Sequence, residues 1–105
     1  MEKRTPTYDL DTIKMCISSI DKLEITRTAF RTAQELGFQK LDIVDTVQTI
    51  TRADFHKSMT SHVDHRVWQD VYYVHHESAG TLYIKFTAGV VTSFLVLSFK
   101  AKEDL

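Results

Sequence analysis

The chain changes its periodicity near residue 54. Ahead of that point apolar positions recur every three or four residues; beyond it they alternate. Leu10, Ile13, Ile17 and Ile20 line one helical face, with Asp9 or Asp11 placed to cap it. Residues 22–26 alternate polar and apolar, with Leu23 and Ile25 on one side, and fit a short strand. Thr26 can then cap a second helix whose inner face carries Ala29, Phe30, Ala33 and Leu36. Gly37 follows where a left-handed residue ends such a helix. A third helix fits residues 40–50, with Ile43, Val44, Val47 and Ile50 inward. Thr51 and Asp54 have the spacing of a short capping box.

In the second half, residues 68–75 are rich in β-branched and aromatic side chains. Residues 81–87 alternate: Leu82, Ile84 and Phe86 face one way, Thr81, Tyr83 and Lys85 the other. Over 93–100 the alternation puts Leu95, Leu97 and Phe99 on one face, opposed by Phe94, Val96, Ser98 and Lys100. Residues 77–80 and 88–89 supply turns, so these three strands should form an antiparallel meander. Residues 55–61 fit either a strand or the tail of the short helix before them. Helices followed by strands predict an α+β fold, an antiparallel sheet packed against N-terminal helices that cover Leu82, Ile84 and Phe86.

Composition acts mainly by exclusion. At 105 residues the chain has the length of one domain, 1–105, and 43% apolar side chains can fill a core. A single cysteine, Cys16, can form neither an internal disulfide nor a multi-cysteine zinc site; on the inward arc of the first helix it reads as a small core residue. No apolar run reaches the ~20 residues that span a bilayer, and the charged start has no apolar stretch behind it. The sequence therefore predicts a cytoplasmic protein with no membrane partner. Thirteen Lys and Arg against fourteen Asp and Glu give a net charge of −1, so overall basicity does not announce a nucleic-acid binder. All five histidines lie in the second half, which gains positive charge as they protonate.

The face opposite Leu82, Ile84 and Phe86 is chemically the more telling one. It carries Tyr83 and Lys85, with Lys100 on the paired strand. Lysine ammoniums can hold a phosphate and stabilise its developing charge, and tyrosine offers a stacking ring and a hydroxyl. The plainer alternative is that the lysines solvate an exposed sheet and Tyr83 packs across strands. His62 and His65 have H-x-x-H spacing, and His75 and His76 are adjacent. Adjacent strand residues point to opposite faces, and H-x-x-H needs a helix that its strand-like surroundings do not offer. Metal and cofactor are accordingly expected to be none. Nucleotide-binding and serine-nucleophile fingerprints do not occur, and Trp68 reads as a core residue.

Residues 54–72 read DFHKSMTSHVDHRVWQDVY. The pieces Asp54-Phe55, Lys57-Ser58-Met59-Thr60, Asp64-His65 and Trp68-Gln69-Asp70-Val71-Tyr72 resemble the MqsR family of bacterial toxins (motility quorum-sensing regulator), the ribonuclease half of a toxin–antitoxin pair. The stretch from Glu2 to Pro6, Glu35-Leu36-Gly37 and Ser98-Phe99-Lys100 agree in order and spacing. The resemblance thus covers essentially the whole chain and is loosest over 41–50. It implies a RelE-like fold and metal-independent cleavage of single-stranded mRNA at GCU-type sites. It also implies neutralisation by a cognate MqsA-type antitoxin that carries a zinc-binding domain and a helix-turn-helix domain. The matching active-site positions are Lys57, Gln69, Tyr83 and Lys100; Tyr83 and Lys100 already lie on the polar face found from alternation. Lys85 and His65 join them as candidates for substrate contact.

A metal-free ribonuclease uses the 2′-hydroxyl of its substrate as nucleophile. In-line attack on the adjacent phosphorus leaves a 2′,3′-cyclic phosphate and a 5′-hydroxyl end. Lys57 and Lys100 are expected to stabilise charge, and one of them, its pKa depressed by the other, could act as base. Tyr83 would position the phosphate or base, or donate a proton; Gln69 would orient the nucleotide; His65 is a further acid–base candidate, unless Asp64 or the backbone holds it. Where basic residues are expected after Tyr72, this chain has Tyr73-Val74-His75-His76. That difference predicts RNA binding that is weaker, more dependent on stacking and more sensitive to pH. Two alternative readings are a family member that binds antitoxin or RNA without cutting, and an unrelated protein-interaction module.

Overall fold

The computed structural model describes residues 1–89 and 93–104. Helix α1 (Leu10–Cys16) starts at Asp9, whose carboxylate accepts the Thr12 backbone N–H at 3.0 Å. It stops sooner than the apolar spacing predicts. Ser18 and Ser19 follow it, side chains that compete with helical backbone bonds, and a short 3₁₀ turn (Ile20–Lys22) leaves Ile20 exposed. Cys16 is half-buried rather than in the core. Helix α2 (Arg27–Glu35) is capped by Thr26, which accepts from the Ala29 N–H, and Gly37 closes it with φ +88°. Helix α3 (Lys40–Thr49) buries Ile43, Val44 and Val47, as its period requires. A 3₁₀ turn (Arg52–Asp54) follows, where Asp54 accepts the Thr51 N–H at 2.8 Å.

The described residues form one antiparallel five-stranded sheet in sequence order: β1 (Glu2–Lys3), β2 (Phe55–Thr60), β3 (Trp68–His76), β4 (Gly80–Ala88) and β5 (Phe94–Ala101). The ambiguous stretch after Asp54 is thus a strand. The two-residue edge strand β1 is an addition that no periodicity could reveal. The expected α+β layering is what the structure shows. Leu82, Ile84 and Phe86 are fully buried and share one core with Ile13, Ile17, Ala33, Ile43 and Val47 of the helical layer.

Two further expectations need correction. Residues 22–26 form only one parallel bridge, Ile25 to Val96, rather than a strand. In β5 the alternation breaks: Lys85 pairs with Ser98 but Phe86 pairs with Val96, so Leu97 is an extra, bulged residue. Val96 and Phe99, three positions apart, therefore both reach the core, and Leu95 and Leu97 do not share the face of Phe99. The cause lies outside the strand. The Val96 N–H donates to the Glu24 carbonyl and the Thr26 N–H donates to the Val96 carbonyl, which ties β5 to the segment ahead of α2.

The N-terminal segment is fastened by Asp70. This buried carboxylate accepts the backbone N–H groups of Thr7 and Tyr8 at 2.9–3.1 Å, and Ser58 bonds the Thr7 hydroxyl at 2.7 Å. These contacts hold residues 1–8 against β2, where β1 adds to the sheet.

Candidate active site

Helices cover one face of the sheet; the chemistry collects on the other. Registers across the strands place Lys57 opposite Val71, Val71 opposite Lys85 and Lys85 opposite Ser98. The next pleat holds Tyr73, Tyr83 and Lys100, and the pleat on the other side holds Met59, Gln69 and Thr87. Side chains two residues apart on a strand share a face, so Lys57, Gln69, Tyr83, Lys85 and Lys100 stand together. With strands about 4.8 Å apart, the backbones of Lys57 and Lys85 lie roughly 10 Å apart, a gap that two lysine side chains can span. Val71 and Tyr83 are buried yet do not belong to the core cluster, so side chains of this face cover them.

His65 is not part of the group. It is exposed in the loop between β2 and β3, as is His62, and Asp64 accepts from Arg66 rather than from His65. Sequence reasoning also passed over three members of the face. Glu2 places Oε1 2.7 Å from Lys57 Nζ. His56, the extra residue of a β2 bulge, stacks on Tyr73 with ring centroids 4.2 Å apart. Lys102 lies 4.8 Å from the Tyr73 ring centre, as Lys100 lies 5.4 Å from that of Tyr83. The segment matching the family from Glu2 to Pro6 was the one available signal for Glu2. A bulge leaves no signal in a single sequence.

The electrostatics follow from this crowding. Burial, then the ammoniums of Lys100 and Lys57, hold Lys85 below the usual lysine range. Burial pushes the Tyr83 phenol up, so it stays protonated and able to donate. Burial and then Lys57 hold His56 below the ordinary histidine value. The hydrogen bond and charge of Lys57 hold Glu2 below the usual carboxylate range. Among the described residues no three His, Cys, Asp or Glu side chains gather as metal ligands would, and no helix is long and apolar enough to cross a membrane. A cavity of about 580 Å³ lies on the helix-bearing side, lined in part by Tyr8, Lys14, Arg52 and Tyr72 and by none of Lys57, Lys85 and Lys100.

Amines, a protonated phenol and an amide arrayed on an open antiparallel sheet can bind a phosphodiester, stabilise it and move protons around it. That combination fits a small α+β toxin, and the chain belongs to the family described as motility quorum-sensing regulator, toxin of MqsA, which it matches over residues 5–101. It is similar to the mRNA interferase toxin MqsR of Escherichia coli (strain K12), with 37% identity over 102 residues, 97% of this chain and 100% of that protein.

Proposed function

We propose that this protein is an endoribonuclease toxin, an mRNA interferase, working in the cytoplasm through the lysine-bearing sheet face. One observation carries the reading of the site: Lys57, Lys85, Lys100, Tyr83 and Gln69, from four strands, share one face of the sheet. The family and the E. coli relative support the activity. The toxin domain extends over residues 1–105.

The chemistry follows from what each side chain offers. A single RNA strand lies across the open face, with a base stacked against the half-buried Tyr73–His56 ring pair and the scissile phosphate between Lys57, Lys85 and Lys100. Lys57 and Lys100 stabilise charge as it develops on the phosphoryl oxygens. Lys85 is the amine best suited to accept the 2′-hydroxyl proton, because its neighbours already disfavour its charged form. This moves the base from the outer lysines, where the sequence suggests it, to the one between them. The 2′-oxygen attacks phosphorus, the P–O5′ bond breaks, a 2′,3′-cyclic phosphate forms, and the 5′-oxygen takes a proton from the Tyr83 hydroxyl or from water. Tyr83, kept protonated by burial, donates a hydrogen bond to the phosphate or the leaving oxygen. Gln69 orients the nucleotide through its amide. His65 stands apart on its loop, and no step is assigned to it. These groups supply proton transfer and charge stabilisation themselves, so cleavage is metal-independent. The partner is an MqsA-type antitoxin, zinc-binding and helix-turn-helix, and the preferred sites are of GCU type.

The test is cleavage of a defined single-stranded RNA with chelator present. Lys57→Ala, Lys100→Ala and Tyr83→Phe should each slow cutting by ~10²- to 10³-fold while leaving the fold intact. Wild-type rates in all three would remove the face from the mechanism.

A further inference from the structure

β1 brings a carboxylate onto the face where the lysines gather. Glu2 pairs in register with Met59, two residues along β2 from Lys57, so both side chains stand on the same side of the sheet. Glu2 Oε1 lies 2.7 Å from Lys57 Nζ, joining residues 55 positions apart in sequence. A negative charge there repels RNA phosphates. It also contributes little to stability, because the Glu2 side chain is 53% exposed and such pairs are screened by water. Its effect falls on where the Lys57 ammonium sits. Lys57 shares its face with Lys85 and Lys100, whose like charges push its flexible chain toward β1 without fixing the ammonium at one point.

We propose that Glu2 is a positioning residue that holds the Lys57 ammonium at the β1 side of the face. Lys85 then stands across Val71, and the scissile phosphate docks between the two amines with their geometry set in advance. The assignment rests on the nuclease reading given above. It explains why a polyanion-binding surface includes a carboxylate: the loss in long-range attraction is offset by placement of one catalytic cation. It also gives Asp70 a further role, because the Thr7 and Tyr8 bonds to Asp70 fix the segment that carries Glu2.

The experiment is single-turnover cleavage at saturating protein by wild type, Glu2→Gln, Glu2→Asp, Lys57→Ala and the Glu2→Gln/Lys57→Ala pair. Affinity is read separately on an RNA blocked by 2′-deoxy substitution. Glu2→Gln should lower the maximal rate roughly 10-fold or more, while affinity stays equal or rises because a negative charge has gone. Glu2→Asp keeps the carboxylate with a shorter reach and should fall between. In the Lys57→Ala background Glu2→Gln should change nothing, because the amine it acts through is absent. A wild-type maximal rate for Glu2→Gln, or a further loss in that background, overturns the assignment. Wild-type protein that fails to cut overturns the nuclease reading itself, and the two failures are distinguished by the first lane of the assay.

Discussion

Lys85 is where the electrostatics of the sheet face converge. Its ammonium is disfavoured first by burial and then by Lys100 and Lys57. Removing Lys100 takes away one repelling charge, so the Lys85 pKa rises and the base form appears only at higher pH. The ascending limb of the pH–rate profile of Lys100→Ala, measured on its residual activity, should therefore move to higher pH than in wild type. A limb that stays put or moves down assigns the base elsewhere. Tyr72 offers a test independent of catalysis. Burial, then Asp70, pushes its phenol up to about 12. The folded state thus keeps its full stability below the ordinary tyrosine value of ~10 and loses stability as pH climbs from there toward about 12. An alkaline ultraviolet titration should show late phenols for Tyr72 and Tyr83, and Tyr72→Phe should remove the last of them. At this scale the sequence was legible where a residue type carries its own chemistry, as Tyr83 and Lys100 do. Glu2 was not legible as a site residue, because its partner is set by a two-residue strand pairing across the chain.

Secondary-structure elements were legible in proportion to the length of their pattern. α3 and β4 follow sustained periods: Ile43, Val44 and Val47, and Leu82, Ile84 and Phe86, are buried where the periods put them, while Tyr83 and Thr87 are covered on the other face of β4. β5 has an equally clean alternation, yet the tie of Val96 to Glu24 and Thr26 forces a bulge that no local pattern contains. The bulge has a functional consequence: Val96 and Phe99 both reach the core while Lys100 still faces Tyr83. The N-terminal segment depends on one buried acceptor. Asp70→Ala leaves the Thr7 and Tyr8 N–H groups unpaired and should cost roughly 2–3 kcal/mol, against about 1 kcal/mol for removing the Thr26 cap. Thermal melts rank the two. Hydrogen exchange should show faster exchange at Lys3 and nearby amides in Asp70→Ala but not in Thr26→Ala. Equal destabilisation, with the N-terminal amides still protected, would mean that Asp70 is not the fastening.

For the molecule as a whole, a net charge of −1 hides the gathering of Lys57, Lys85 and Lys100 on one sheet face. The cations on the open face are set by strand register, which composition cannot report, so the balance that argues against a polyanion partner is misleading. RNA affinity should fall with salt, the logarithmic slope being roughly −2 for three lysines on a single strand at about −0.7 per phosphate. A flat salt response would mean that stacking alone holds the strand. The histidines, which the sequence suggests as the source of pH-sensitive charge, separate in the fold. His62 and His65 lie on the β2–β3 loop, and His56 sits on the site with its charged form disfavoured. The central claim is that the RNA supplies its own nucleophile to a constellation of amine and phenol groups. The most direct measurement places one 2′-deoxynucleotide immediately 5′ of a mapped cut in an otherwise unmodified RNA, with chelator present, and maps the fragment ends. The account predicts that scission stops at that linkage alone and that the remaining cuts end in 2′,3′-cyclic phosphate. Cutting that persists at the deoxy linkage would contradict it.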